Sequence, residues 1–148
     1  MSVPIGLPHT WRPLGTRAMG LVLLVGLYGL CGFTWWALGA EDRAKFTPFQ
    51  IGTLVFVGLL VLVVYWAVVR CRITADDDGI VVVNGYRSHH LAWTQVVAVS
   101  MPSGAPWAVF DLDDGTTLSG LGIQASDGHR ARVAIDELRA LVESRAAA

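Results

Sequence analysis

Charge is thin in this sequence, and two long stretches have none. Asp, Glu, Lys and Arg make up 16% of the 148 residues, and residues 18–40 and 51–69 contain no charged side chain. Cysteine is nearly missing: Cys31 lies in the first run and Cys71 just past the second. Their expected membrane depths differ, so no disulfide is predicted, and neither has metal-ligand spacing. No Gly-rich phosphate loop and no Ser/His/Asp or Cys/His arrangement occurs, and Thr94, Ser100 and Ser103 have no evident base beside them. The expectation is therefore no enzyme, no cofactor and no metal site. A basic face is also lacking. Residues 71–148 carry six Arg against ten Asp/Glu, while residues 1–70 are net positive. That balance argues against nucleic acid or anionic lipid as the primary partner.

Apolar residues are abundant: 53% of the chain is hydrophobic and mean hydropathy is +0.51. Residues 51–69 (IGTLVFVGLLVLVVYWAVV) are the central element. A helix of that length spans ~28 Å, close to bilayer hydrocarbon thickness. Residues 18–40 form a second candidate span. A cleaved signal peptide is the rival reading of this first run, but the run is too long and Trp35-Trp36 is a poor approach to a cleavage site. The ten residues between, 41–50, force an antiparallel hairpin, with Pro48 expected to end any helical extension. Gly26, Gly29 and Gly32 give one face a thin profile suited to packing on the second span.

Residues 1–17 contain Pro4, Pro8 and Pro13 and read as an exposed or interfacial lead-in. Trp11 is expected at headgroup level, with Arg12 and Arg17 in water. Trp35 and Trp36 mark the far interface, and Tyr65 and Trp66 the near one, with Arg70 and Arg72 snorkelling to lipid phosphates. Four arginines flank the terminal ends of the spans, against Arg43 and Lys45 in the loop. The bias predicts a multi-pass protein of the plasma membrane with both termini in the cytoplasm.

Residues 70–145 read as a soluble domain, with 146–148 a fraying tail. Short β-rich runs at 71–75, 80–84, 86–93, 96–101, 107–112 and 116–121 are separated by tight turns. Among these, Asn84-Gly85 is a type I′ hairpin signal. Ser126 or Asp127 can cap a last helix at 129–145, whose apolar stripe is Ala131, Ala134, Ile135, Leu138, Leu141 and Val142. The fold class is α+β: a two-helix hairpin, then a small β sandwich or barrel of about six strands with a C-terminal amphipathic helix.

The stretches ITADDDGIVVVNGY from Ile73, LAWTQVVAV from Leu91 and WAVFDLDDG from Trp107 resemble the pleckstrin-homology-like (PH-like) domains of small actinobacterial membrane proteins. The resemblance implies two near-orthogonal sheets closed by one helix, commonly preceded by two membrane spans. It implies a fold more than a role. The phosphoinositide site of eukaryotic relatives needs Lys/Arg around the first hairpin, whereas this chain has Asp76-Asp77-Asp78 there. No phosphoinositide ligand is expected.

Asp111, Asp113 and Asp114 lack the spacing of a calcium loop and read as turn carboxylates. His89 and His90 point to opposite faces of a strand, so they do not chelate one ion. Trp93 reads as core. Trp107 reads equally as core or as an aromatic that the preceding loop of Pro102, Ser103, Gly104 and Pro106 presents to a protein partner. The function expected is a membrane-tethered protein-interaction or scaffolding module. The alternatives are a lipid or small-ligand receptor, or an accessory subunit of a larger membrane complex.

Overall fold

The computed structural model describes residues 6–146. The expected start of the lead-in and residues 147–148 of the expected tail lie outside that range. Strand β1 (His9–Trp11) comes first, followed by helix α1 (Leu14–Ala37), a short helix α2 (Ala40–Ala44) and helix α3 (Pro48–Arg70). Six strands follow: β2 (Arg72–Ala75), β3 (Gly79–Asn84), β4 (Arg87–Ala92), β5 (Val96–Ser100), β6 (Trp107–Leu112) and β7 (Thr117–Gln124). Helix α4 (His129–Ala146) is the last element among the described residues. The sheets are β1-β2-β3-β4 and β5-β6-β7, antiparallel throughout.

The lead-in is not an exposed coil. His9, Thr10 and Trp11 pair with Ala75, Thr74 and Ile73, so the first strand of the domain precedes the hairpin. Both helices of the hairpin are thus an insertion between two neighbouring strands. Prolines 8 and 13 bracket the strand without interrupting it. Trp11 is buried, and its indole N–H donates to Glu137 of α4 at 3.0 Å, so it is a core residue of the β domain and not a headgroup anchor.

Helices α1 and α3 are each long and apolar enough to cross a membrane, and neither has a buried residue. Both start earlier than the charge pattern suggests. No helix runs into Pro48, since α2 stops at Ala44, and Pro48 also begins α3, because at the first helical position its missing N–H costs nothing. Thr47 Oγ1 accepts from Gln50 N–H and Gln50 Oε1 from Thr47 N–H, a reciprocal capping box. The glycine expectation is corrected as well. A Cβ at Gly26, Gly29 or Gly32 would meet nothing within 4 Å, whereas Gly20 lies against Tyr65 and Gly58 against Tyr28. Aromatic rings, not the glycine stripe, meet the small residues between the helices.

The core joins both sheets to α4: Ile73, Ile80, Val82, Phe110 and Leu138 are its largest fully buried apolar side chains. The predicted α4 stripe is correct, with Ala131, Ala134, Ile135, Leu138 and Val142 buried. At the β3–β4 turn the central residues are Gly85 and Tyr86, with Asn84 opposite Arg87. Only Gly85 has positive φ (62°), which is the II′ pattern and not I′. Asn84 is thereby freed to bridge the sheets. Its Nδ2 donates to Ser119 O at 2.5 Å and its Oδ1 accepts from Leu121 N–H at 3.0 Å, so it pairs with two backbone groups of β7. Trp93 opens a 3-10 turn, with its indole N–H shared between the carbonyls of Asp76 and Asp77.

Candidate functional site

The hairpin joins the domain without a linker, and the junction is held by side chains from both parts. Asp127, expected to cap α4, instead accepts from Leu14 N–H (3.2 Å) and Gly15 N–H (2.6 Å), capping α1 from 112 residues away. A carboxylate there also meets the positive end of the helix dipole. Thr16 donates to Gln124 Oε1 and lies 3.2 Å from Ser126 Oγ. At the end of α3, Arg17 donates to the carbonyl oxygens of Val69 and Cys71, and Tyr65 donates to Arg17 O. Arg17 is half-buried as a structural cap; it does not stand free in solvent. On the other flank the β3–β4 turn leans on α3. Tyr86 Oη donates to Val63 O at 2.7 Å, Gly85 faces Ala67, and Arg70 stacks 5.6 Å above the Tyr86 ring. Replacing Asp127 with alanine should cost about 1–2 kcal/mol. Thermal unfolding of the purified chain in detergent measures this, and an unchanged midpoint would remove the cap from the account.

The other residues singled out in the sequence fall into two groups. Arg12, Arg70 and Arg72 are exposed at the hairpin end of the domain, and none forms an ion pair among the described residues. Arg12 follows Trp11 and Arg72 precedes Ile73, its pairing partner, so the two lie close together, next to Arg17, which donates to Cys71 O. Trp66 is exposed nearby on α3. Trp35 and Trp36 lie at the far end, Trp35 edge-on to Phe46 at 5.4 Å and Trp36 outward. The loop of Pro102, Ser103, Gly104 and Pro106 is exposed, with an Ala105 N–H to Pro102 O turn at 2.9 Å. Trp107 is 37% exposed. Pairing sets Trp107 opposite Gln124, and Pro106 O accepts from Ala125 N–H, so this loop also belongs to the hairpin end.

Acidic turns occupy other positions. Asp76 Oδ1 accepts from the N–H groups of Asp78 and Gly79, an ordinary Asx turn. Thr116 donates to Asp114 from its hydroxyl and then its N–H, which holds that carboxyl below its usual range. Among the described residues no group of three or more His, Cys, Asp or Glu is placed to hold a metal. His90 is exposed and His89 half-buried.

Two cavities adjoin the junction. One, about 600 Å³, lies between α1 and α3, lined by Met19, Leu23, Leu27, Val61 and Val64 among others. The other, about 590 Å³, is a groove between the outer edge of β1 and the first half of α4. Sequence reasoning missed this groove because it missed β1. The β-prone triplet His9-Thr10-Trp11 between two prolines is the signal that could have found it. Tyr86 was also missed, and Asp127 was assigned to the wrong helix, since nothing local shows that a turn residue reaches a helix distant in the chain.

Seven strands in sheets of four and three, closed by a C-terminal helix, define a PH-like domain. The bacterial PH domain family matches residues 70–141. Uncharacterized proteins of Mycobacterium tuberculosis and Mycobacterium bovis are 32% identical over 138 residues, covering 91% of this chain and 85% of theirs. The chain belongs to this actinobacterial family of bacterial PH-domain proteins. No solved structure matches it significantly. The matched segment begins after the hairpin, so it omits β1.

Proposed function

We propose that this protein is a non-catalytic membrane-anchored module whose PH-like domain is held against the cytoplasmic face of the plasma membrane to recruit another protein. The observation that carries this reading is the insertion of the hairpin between β1 and β2. Two strands of one sheet must lie on one side of a bilayer, so the two apolar helices cross and return. The ties from Asp127, Arg17 and Tyr86 then leave the domain little freedom to swing away. Arg70 and Arg72 face the lipid phosphates, and the positive-inside bias favours the cytoplasm for this end. Tyr86 and Trp107 suit the interfacial layer, one on each flank. A domain fixed this way meets membrane-bound partners at raised effective concentration.

The test compares the proteins that travel with the intact chain in mild detergent with those that travel with a chain cut after residue 72. Partners carried by the intact chain alone are expected. The same partners on both would mean that the hairpin holds them. That outcome would favour an accessory membrane subunit, the reading supported by the open glycine face at Gly26, Gly29 and Gly32.

A further inference from the structure

Four sheet edges exist in this domain, and they are not equivalent. The edge of β7 is engaged at Ser119 and Leu121 by the Asn84 amide. The edge of β5 lies beside α4, where Arg139 Nε donates to Val99 O at 3.4 Å. The end of β4 at His90, Leu91 and Ala92 shares a hollow with the acidic turn residues Asp76 and Asp78. The outer edge of β1 has no strand on it among the described residues and instead faces a groove. Its opposite wall is a helical stripe at spacings of three and four: Arg130, Val133 and Glu137. Trp11 is the floor, tied to α4 through Glu137.

Unpaired backbone donors and acceptors along one wall are a template for another strand. Val133 is exposed on the other wall, and Leu14, the first residue of α1, is exposed at the hairpin end. The fixed cations of the groove are Arg12 and Arg130, neither in an ion pair among the described residues. Its two carboxylates serve the protein's own donors, Asp127 the start of α1 and Glu137 the Trp11 indole.

We infer that this groove takes an extended segment of a partner protein, added antiparallel or parallel to β1 as a fifth strand, with acidic side chains on Arg12 and Arg130. The inference rests on the proposed role as a recruiting module and names its docking surface. Backbone pairing supplies affinity, and the two guanidinium groups select charge. The position of Leu14 suits a segment that itself runs close to the membrane.

The test uses the full chain in nanodiscs of neutral lipid and a fluorescent octapeptide of alternating Glu and Val. Saturable binding is expected. The same peptide N-methylated at alternate residues, unable to pair as a strand, should bind at least tenfold more weakly. The double variant R12E/R130E should lose the Glu-Val peptide by at least tenfold and gain the matching Lys-Val peptide, a reversal that misfolding would not produce. Absence of saturable binding, equal binding of the N-methylated peptide, or indifference to the charge swap would overturn the inference. So would competition by phosphatidylglycerol nanodiscs alone, which would assign the arginines to lipid. If the intact chain still carries its partners while R12E/R130E leaves them unchanged, the recruiting role stands and this groove is not its surface.

Discussion

Trp11→Ala is expected to destabilise the domain by about 3–5 kcal/mol, as large a loss as a single core substitution usually gives. A typical domain has only about 5–15 kcal/mol in total. The side chain is 7% exposed, packs in the shared core and joins β1 to α4 through Glu137. Two further chains sharpen the prediction. Residues 70–148 alone lack β1 and should show no cooperative unfolding. A chain in which residues 6–13 run through a short Gly/Ser linker into residues 71–146 should fold without the hairpin, because Trp11 and Ile73 are already paired neighbours. Urea denaturation followed by circular dichroism distinguishes them. A cooperative transition of equal midpoint in both would show that the strand ahead of the hairpin is dispensable.

The second large effect is at Gly122, where β7 passes over the start of β2. A Cβ there would stand 2.6 Å from the carbonyl carbon of Arg72 and the nitrogen of Ile73. Both are backbone atoms in a paired strand and cannot step aside as a side chain can. Gly122→Ala should therefore cost about 1–3 kcal/mol through overpacking. In a domain of this size each kcal/mol lowers the midpoint by roughly 4–8 °C. Gly104→Ala provides the contrast: its φ of +87° makes alanine uncomfortable, but nothing lies within 4 Å. Its midpoint should fall by less. Equal losses at the two sites would mean that the crossing is looser than the distances indicate.

What could be read from the residues follows from how local each signal is. Uncharged runs and the α4 stripe depend on neighbours within a turn or two, and both helices of the hairpin and the buried face of α4 were legible. The acidic-Gly turns and the strand at 107–112 were likewise local. The missing features all join residues distant in sequence. Trp11 looked like a membrane anchor because it stands among prolines ahead of an apolar run, and only its pairing partner 62 residues on makes it a core residue. Asp127 sits where a cap for the next helix belongs, and its side chain serves α1 instead. Asn84 was read as a turn residue, but a shift of the turn by one position left its amide free to reach β7. The arginines and the Pro102–Trp107 loop stand out in the sequence as residue types, but their gathering at one end of the domain comes from topology alone.

The order of strands has a consequence for biogenesis. β1 leaves the ribosome first, yet its partner β2 follows only after the hairpin. During synthesis the opening strand must wait unpaired until both helices have been made and, on the proposed reading, threaded into the bilayer. If that threading goes astray, the strand is stranded on the opposite side, and the domain has no first edge to close upon. Correct folding of the domain thus doubles as a checkpoint on the helices, and a mis-threaded chain would expose unpaired β surface to the cell's proteases.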